Sequence, residues 1–279
     1  MESIPSCGQS YSHDSDTERS RVMVASGQNN EELKRLRLEI LLTAHRAQDG
    51  HIPSALSILE PILSVYSNWQ FYPRGPDKFI LSKGHGCLAL YVVLAEKGYI
   101  QKSDLDNFCE FEGNLGGHPD STKINGVTAS TGSLGHGFPL AAGVAYAKKY
   151  LSRDQGRVFA LLGDGECNEG SIWEAAMLVN HHNLNNLITW VDYNHSGDRA
   201  VGLGDLASKW ESFGFEVRVI DGHDMDSIVA AVQTLSERPV VIIGNSIKGH
   251  GLSFMENNPA WHHSILSDED LSLAKQELT

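Results

Sequence analysis

The chain has 279 residues, 41% of them hydrophobic, enough for one large soluble core. Its 22 basic and 35 acidic residues give a formal charge of -13, which argues against nucleic acid or an anionic membrane as main partner, so any phosphate must be held locally. Four scattered cysteines (Cys7, Cys87, Cys109, Cys167) without Cys-x-x-Cys spacing indicate neither a zinc site nor a disulfide framework, and fit reducing, cytoplasmic surroundings.

Residues 1 to about 28 are rich in Ser, Asp, Gly and Gln and read as a disordered tail, leaving 29–279 as one domain. That start lacks the apolar core of a signal peptide, and no apolar run reaches the roughly 18 residues of a membrane span, so the chain reads as soluble. From Asn30, Leu33, Leu36, Ile40 and Leu41 recur at helical spacing, and Asn30-Glu31-Glu32 makes a helix start with an end near Gly50. Further helices are expected from Pro53 to Tyr66 and from Cys87 to Lys97, the latter closed by Gly98.

The second half changes character. Short apolar runs at Val158 to Leu162, Leu187 to Val191, Phe215 to Ile220 and Pro239 to Ile243 alternate with helical stretches at 171–182, 205–213 and 224–236. This alternation predicts an α/β fold, a parallel sheet with helices on both faces. Such sheets bind ligands at the carboxyl ends of their strands. Gly- and Asp-rich segments stand there: Gly163-Asp164-Gly165, Asp192-Tyr193-Asn194, Asp221-Gly222-His223 and Lys248-Gly249-His250-Gly251. Near the end, Ser267-Asp268-Glu269-Asp270 reads as a capped last helix, and so as a natural end.

Asn194 ends the strand that follows Gly163-Asp164-Gly165, so the two strand ends can meet around one ion. Carboxylate, amide and main-chain oxygens suit a hard cation such as Mg²⁺ or Ca²⁺, and glycines let amides approach phosphates. Gly-Asp-Gly alone is equally a strand-to-helix turn with a capping Asp. The histidines His51, His85, His118, His223 and His250 flank Gly or Pro, and each alone reads as a turn or capping residue.

The spacing from Gly-Asp-Gly to Asn resembles the motif of thiamin-diphosphate enzymes. From about Asn30 to His262 the chain resembles the transketolase family, through Leu81-Ser82-Lys83-Gly84-His85, Gly117-His118-Pro119, Thr131-Gly132-Ser133-Leu134-Gly135-His136-Gly137 and Ile247-Lys248-Gly249-His250-Gly251, in that order. The resemblance implies the thiamin-diphosphate-binding fold and the pyrophosphate-binding domain of a transferase. Asp164, Asn194 and the main-chain carbonyl of Ser196 would hold Mg²⁺ or Ca²⁺. Lys83, His85, Gly132, Leu134, Gly165, Asn194, Lys248 and His262 would contact or support thiamin diphosphate, and Glu169 would support the site or the subunit contact. The catalytic set would be His51, His85, His118 and His262, with His118 on the terminal hydroxyl of the donor ketose.

Two departures stand out: His136 replaces a frequent Gln, and Ser196 replaces a usual apolar residue, which a main-chain ligand tolerates. His45, His181, His182, His195 and His263 have no counterpart in the resemblance and read as surface or structural residues.

In that family a glutamate from a neighbouring pyrimidine-binding domain activates the cofactor's aminopyrimidine ring, and this chain ends at Thr279 without such a domain. The resemblance therefore implies the N-terminal subunit of a split transketolase, whose C-terminal subunit supplies the glutamate, assembled as a dimer of heterodimers. It would transfer a two-carbon ketol unit from a ketose or ketose phosphate to an aldose. One alternative is a thiamin-diphosphate 2-oxo acid decarboxylase or dehydrogenase subunit, against which Gly117-His118-Pro119 and Trp261-His262 argue. Another is a non-catalytic assembly module of the same fold. A dinucleotide-binding protein is weaker still, because no Gly-x-Gly-x-x-Gly opens a helix after a strand.

Overall fold

The computed structural model describes residues 15–71, 73–199 and 201–279, with side chains from Asn30 onward. Residues 1–14 of the expected tail lie outside the described residues. Helix α1 spans Ser15–Ala47, starting well before the expected Asn30. Residues 15–29 contain no proline, so their polar composition does not oblige the helix to stop.

The order continues with α2 (Ile52–Leu56), α3 (Leu59–Asn68), β1 (Lys78–Leu81), α4 (Cys87–Glu96) and α5 (Gly137–Tyr146). Next come β2 (Val158–Gly163), α6 (Gly170–His181), β3 (Leu187–Tyr193), α7 (Leu206–Ser212) and β4 (Glu216–Asp221). The chain closes with α8 (Met225–Gln233), β5 (Val240–Asn245) and α9 (Asp268–Glu277). The single helix expected over 53–66 is two, broken after Ser57. Pro61 has no N–H to give the Ser57 carbonyl, and in the first turn of α3 that donor is not needed. Helix α9 carries the expected cap, with Ser267 and Asp270 bonding each other's backbone N–H.

The five strands are parallel, in the order β1-β2-β3-β5-β4. Phe79, Phe159, Ile188 and Val240 stand in one register row and join the core made with α1 to α4, α8 and α9. In the next row Ile80, Ala160 and Val241 join the opposite core with α5, α6 and α7. Period-2 alternation thus feeds two cores, and near-continuous apolar strands are what two covered faces require. The expected α/β class and helices on both faces are observed.

Close packing fixes details of the sheet. Trp190 on β3 is fully buried, and its ring lies where a β-carbon on Gly244 of β5 would sit, 2.2 Å from the ring carbon. The loops after β1, β2, β3 and β5 leave the carboxyl edge of the sheet together. Among the described residues, no helix is long and apolar enough to cross a membrane.

Candidate active site

At that edge one carboxylate joins four segments. Asp192, the penultimate residue of β3, is wholly buried. It accepts from Lys83 Nζ at 2.6 Å, Ser57 Oγ at 2.8 Å and Asn194 Nδ2 at 2.9 Å. The Ser246 hydroxyl donates to its other oxygen. Lys83, 2% exposed, also reaches the Ser54 carbonyl at 3.3 Å. The loop after β1, the break between α2 and α3, and the loop after β5 are thereby tied to β3.

Above this hub lies a cavity of about 180 Å³. Lys83, His85, Leu134, Asp164, Gly165, Asn194, Ser196, Lys248 and His262 all line it, with Ser54, Gly163, Glu166 and Gly197. Asp164 Oδ1 accepts from the Gly165 amide at 2.6 Å, whereas Oδ2 is buried without a partner. Burial, and then the charge of Asp192, push the Asp164 carboxyl up. Asn194 is oriented at both ends: its Nδ2 donates to Asp192 and its Oδ1 accepts from the Ser196 amide at 3.1 Å. The intervening His195 holds φ +62° to make this turn. A buried, unpaired carboxylate oxygen and an oriented amide oxygen lining one cavity are the kind of donors a hard divalent cation takes, so the residues present fit such an ion.

Glycine at 197 is a steric requirement, because a β-carbon there would lie 2.7 Å from both Gly165 Cα and its amide nitrogen. Glu166 braces the opposite wall, accepting from Ser82 Oγ at 2.5 Å, the Gly135 amide at 2.9 Å and the Gly163 amide at 3.3 Å. Burial pushes its carboxyl up against these bonds.

The histidines gather at the mouth. The His51 ring is 5.5 Å from His85, 5.6 Å from His262 and 4.6 Å from His263. Burial, then its neighbours His263 and His262, push His51 down to about 4. Burial and Lys83 push His85 down to about 2. His262 is lowered by burial and by Lys248, whose Nζ is 2.9 Å from His262 Nδ1. Lys248 itself is pushed down to about 8 by burial and Lys83. Around neutral pH these imidazoles are uncharged proton acceptors. His118 is exposed and lies against Gly132, where a β-carbon would come within 3.2 Å of its ring.

Two placements are specific to the fold. Lys83 is committed to Asp192 and supports the cavity floor from inside the fold. Glu169 is exposed at the N-cap of α6 and does not line the cavity, which Glu166, one helical turn earlier, does. Sequence reasoning also missed Asp192, Gly197 and the contact of His263 with His51 and with Asp49, 3.1 Å from its Nε2. Asp192 carried a signal: a carboxylate ending a strand of buried apolar residues needs partners.

Two outcomes follow. Asp192→Asn leaves the Lys83 charge buried and uncompensated, so urea unfolding is expected to show a loss of about 3–5 kcal/mol; a loss below about 1 kcal/mol would refute the hub. Because His51 titrates near 4 when folded against 6.5 unfolded, its share of stability is intact above pH 6.5 and is lost as pH falls toward about 4. Thermal melts over that acid range should therefore fall less steeply for His51→Asn than for the wild type, and parallel curves would contradict the assignment.

Residues 29–279 match the family model described as transketolase, thiamine diphosphate binding domain. The chain is 37% identical over 254 residues to one subunit of the apulose-4-phosphate transketolase of Actinobacillus succinogenes, covering 86% of this chain and 91% of that one. It is 38% identical over 243 residues to a 6-deoxy-6-sulfo-D-fructose transketolase subunit of a Clostridium species, covering 82% and 88%. The crystal structure of transketolase from Campylobacter jejuni superposes with a TM-score of 0.82 at 29% identity, covering 90% of this chain but 43% of that one. The chain thus spans less than half of that solved transketolase and nearly all of the Actinobacillus relative. It belongs to the transketolase family and comprises that family's thiamine diphosphate binding domain.

Proposed function

We propose that the chain is the cofactor-binding subunit of a two-subunit transketolase, moving a two-carbon ketol unit from a ketose or ketose phosphate to an aldose. The observation that carries this reading is the convergence in one cavity of Asp164, Asn194, Lys248, His85 and His262, with His51 at its mouth. Near-complete coverage of a relative that is itself named as a transketolase subunit supports a separate partner, for which a dimer of heterodimers and a cytoplasmic location are part of the proposal.

On this reading Asp164, Asn194 and the Ser196 carbonyl hold Mg²⁺ or Ca²⁺, and the metal and Lys248 together balance a diphosphate. The Gly165 amide and His262 donate to phosphate oxygens, while Gly132 and Leu134 flank the aminopyrimidine ring. Thiamine diphosphate, when bound, supplies the electron sink that lets the donor's carbon–carbon bond break. His51, uncharged at neutral pH, accepts the proton of the donor hydroxyl through a ring nitrogen, assisted by His85 and His262. His118 hydrogen-bonds the donor's terminal hydroxyl, which favours hydroxyl-bearing donors over pyruvate. The glutamate that activates the aminopyrimidine comes from the partner subunit. The sugars in the relatives' names support a ketose donor and leave acceptor choice to contacts the partner contributes.

Ketol transfer from xylulose 5-phosphate to ribose 5-phosphate, with thiamine diphosphate and Mg²⁺, is expected only when the chain is mixed with its C-terminal subunit. Normal turnover by the chain alone would refute the split enzyme, and turnover of pyruvate in place of the ketose would favour the decarboxylase class. Asp164→Asn offers a second check. Its carboxyl is raised in the fold, so removing the charge is expected to leave the ligand-free melting temperature unchanged or higher, while abolishing the added stability from Mg²⁺ with thiamine diphosphate. Retention of that added stability would exclude Asp164 as a ligand.

A further inference from the structure

Outside the cavity, a second polar cluster lies under the loop that carries Lys248. Glu60 on α3 is 1% exposed, and the Arg37 guanidinium of α1 bonds its Oε1. Its Oε2 lies 3.4 Å from His223 Nδ1, an electrostatic approach in which neither atom makes a hydrogen bond. The His223 ring stacks on His250 at 3.6 Å with planes 24° apart, and His250 Nδ1 is 3.3 Å from Glu256 Oε1. Glu60, His223 and His250 bring three ligand-type atoms within 4.8 Å of one another. A metal between them is disfavoured by the geometry: ligation in both ring planes needs splayed imidazoles, and Arg37 already neutralises Glu60.

The far side of His223 is more telling. Its Nε2 accepts the backbone N–H of Ile247 at 2.8 Å, so Nε2 bears no proton and the ring proton sits on Nδ1, facing Glu60. Although burial opposes the charge, His223 and Arg37 hold the Glu60 carboxyl below the usual range, so it remains an acceptor for that proton. The loop has other ties: main-chain bonds from the Gly249 amide to the Pro53 carbonyl and the Asn257 amide to the Lys248 carbonyl, and side-chain bonds of Ser246 to Asp192 and of the Gly251 amide to Glu256. The bond at Ile247 is the side-chain anchor next to Lys248.

We infer that Glu60 and His223 form a positioning pair: the nearby carboxylate favours a proton on Nδ1, and the imidazole, accepting through Nε2, fixes the Ile247 amide and with it the approach of Lys248 to the cofactor cavity. This rests on the proposed role of Lys248 toward the diphosphate. Glu60 and Arg37 on one side, His250 and Glu256 on the other, and Asp221, whose Oδ1 accepts the His223 amide at 2.8 Å, surround His223.

The test uses the full chain, alone and combined with its C-terminal subunit. For the chain alone, His223→Leu is expected to speed hydrogen exchange in the segment 247–251, and His223→Gln, whose amide oxygen can still accept from Ile247, is expected to restore protection. With the partner present, the KM for thiamine diphosphate should rise about tenfold in His223→Leu, the equivalent of one positioned hydrogen bond, with kcat at saturating cofactor unchanged. In His223→Gln, which keeps an acceptor for the Ile247 N–H, that KM should stay near the wild-type value. Glu60→Gln, a milder change should the leucine variant fail to fold, is expected to speed exchange in the same segment, though less than His223→Leu. Unchanged exchange in His223→Leu overturns the anchor, whatever the cofactor reading. Faster exchange with an unchanged cofactor KM overturns the link to Lys248 and counts against that residue's assigned role.

Discussion

The fold's carboxyl edge depends on one buried ion pair. Lys83 and Asp192 are almost without solvent contact, and at 2.6 Å they neutralise each other inside a region too dry for either alone. Three further donors complete the arrangement: Ser57 from a helix break, Ser246 from beyond β5, and Asn194 two residues on. Each brings a segment that a sheet by itself would leave free. The break between α2 and α3, which costs helix continuity, is the local condition that puts Ser57 at the carboxylate.

From this hub the rest of the cavity follows by short steps. Once Asn194 Nδ2 is held by Asp192, its Oδ1 faces the Ser196 turn, and Asn194 lines the same cavity as Asp164. The close approach of Gly197 to Gly165 then brings two strand ends into contact with no side chain between them. Glu166 does the same for the opposite wall by binding the Gly135 amide, which carries the Leu134 segment against the cavity. The metal and cofactor groups named in the proposal thus stand on a frame of buried carboxylates that none of the family motifs singles out.

Much of this was legible in the sequence, and the exceptions have physical causes. The buried strands β2, β3 and β5 and their intervening helices were readable because doubly covered strands are apolar throughout. Strand β1 was missed because it is four residues long, too short for its pattern to be read. Helix α5 was missed because Gly137, Pro139 and Gly143 give it a poor helical composition, which packing between β2 and α6 overrides. Within the site, residues that meet through sequence-adjacent turns, such as Asp164 and Gly165, could be placed from motifs. Those that act across the fold could not: Lys83 has its carboxylate partner 109 residues away in Asp192, and Glu166 meets Ser82 and the Gly135 amide only through the loop fold.

The electrostatics of the cavity carry one further consequence for the proposed chemistry. Asp164 is raised by burial and by Asp192, while Lys248 is lowered by burial and by Lys83, so groups of both signs are held in unfavourable ionisation states within one cavity. A cation alone would relieve Asp164 but add to the repulsion felt by Lys248 and its neighbours. An anion alone would relieve Lys248 and crowd Asp164. A divalent ion and a diphosphate together satisfy both and neutralise each other, so on the proposed reading each raises the other's affinity, and reciprocity of linkage makes the effect equal in both directions. The overall charge of -13 does not oppose this, because the field that matters is set within a few ångströms by buried groups and the distant surface charges are screened.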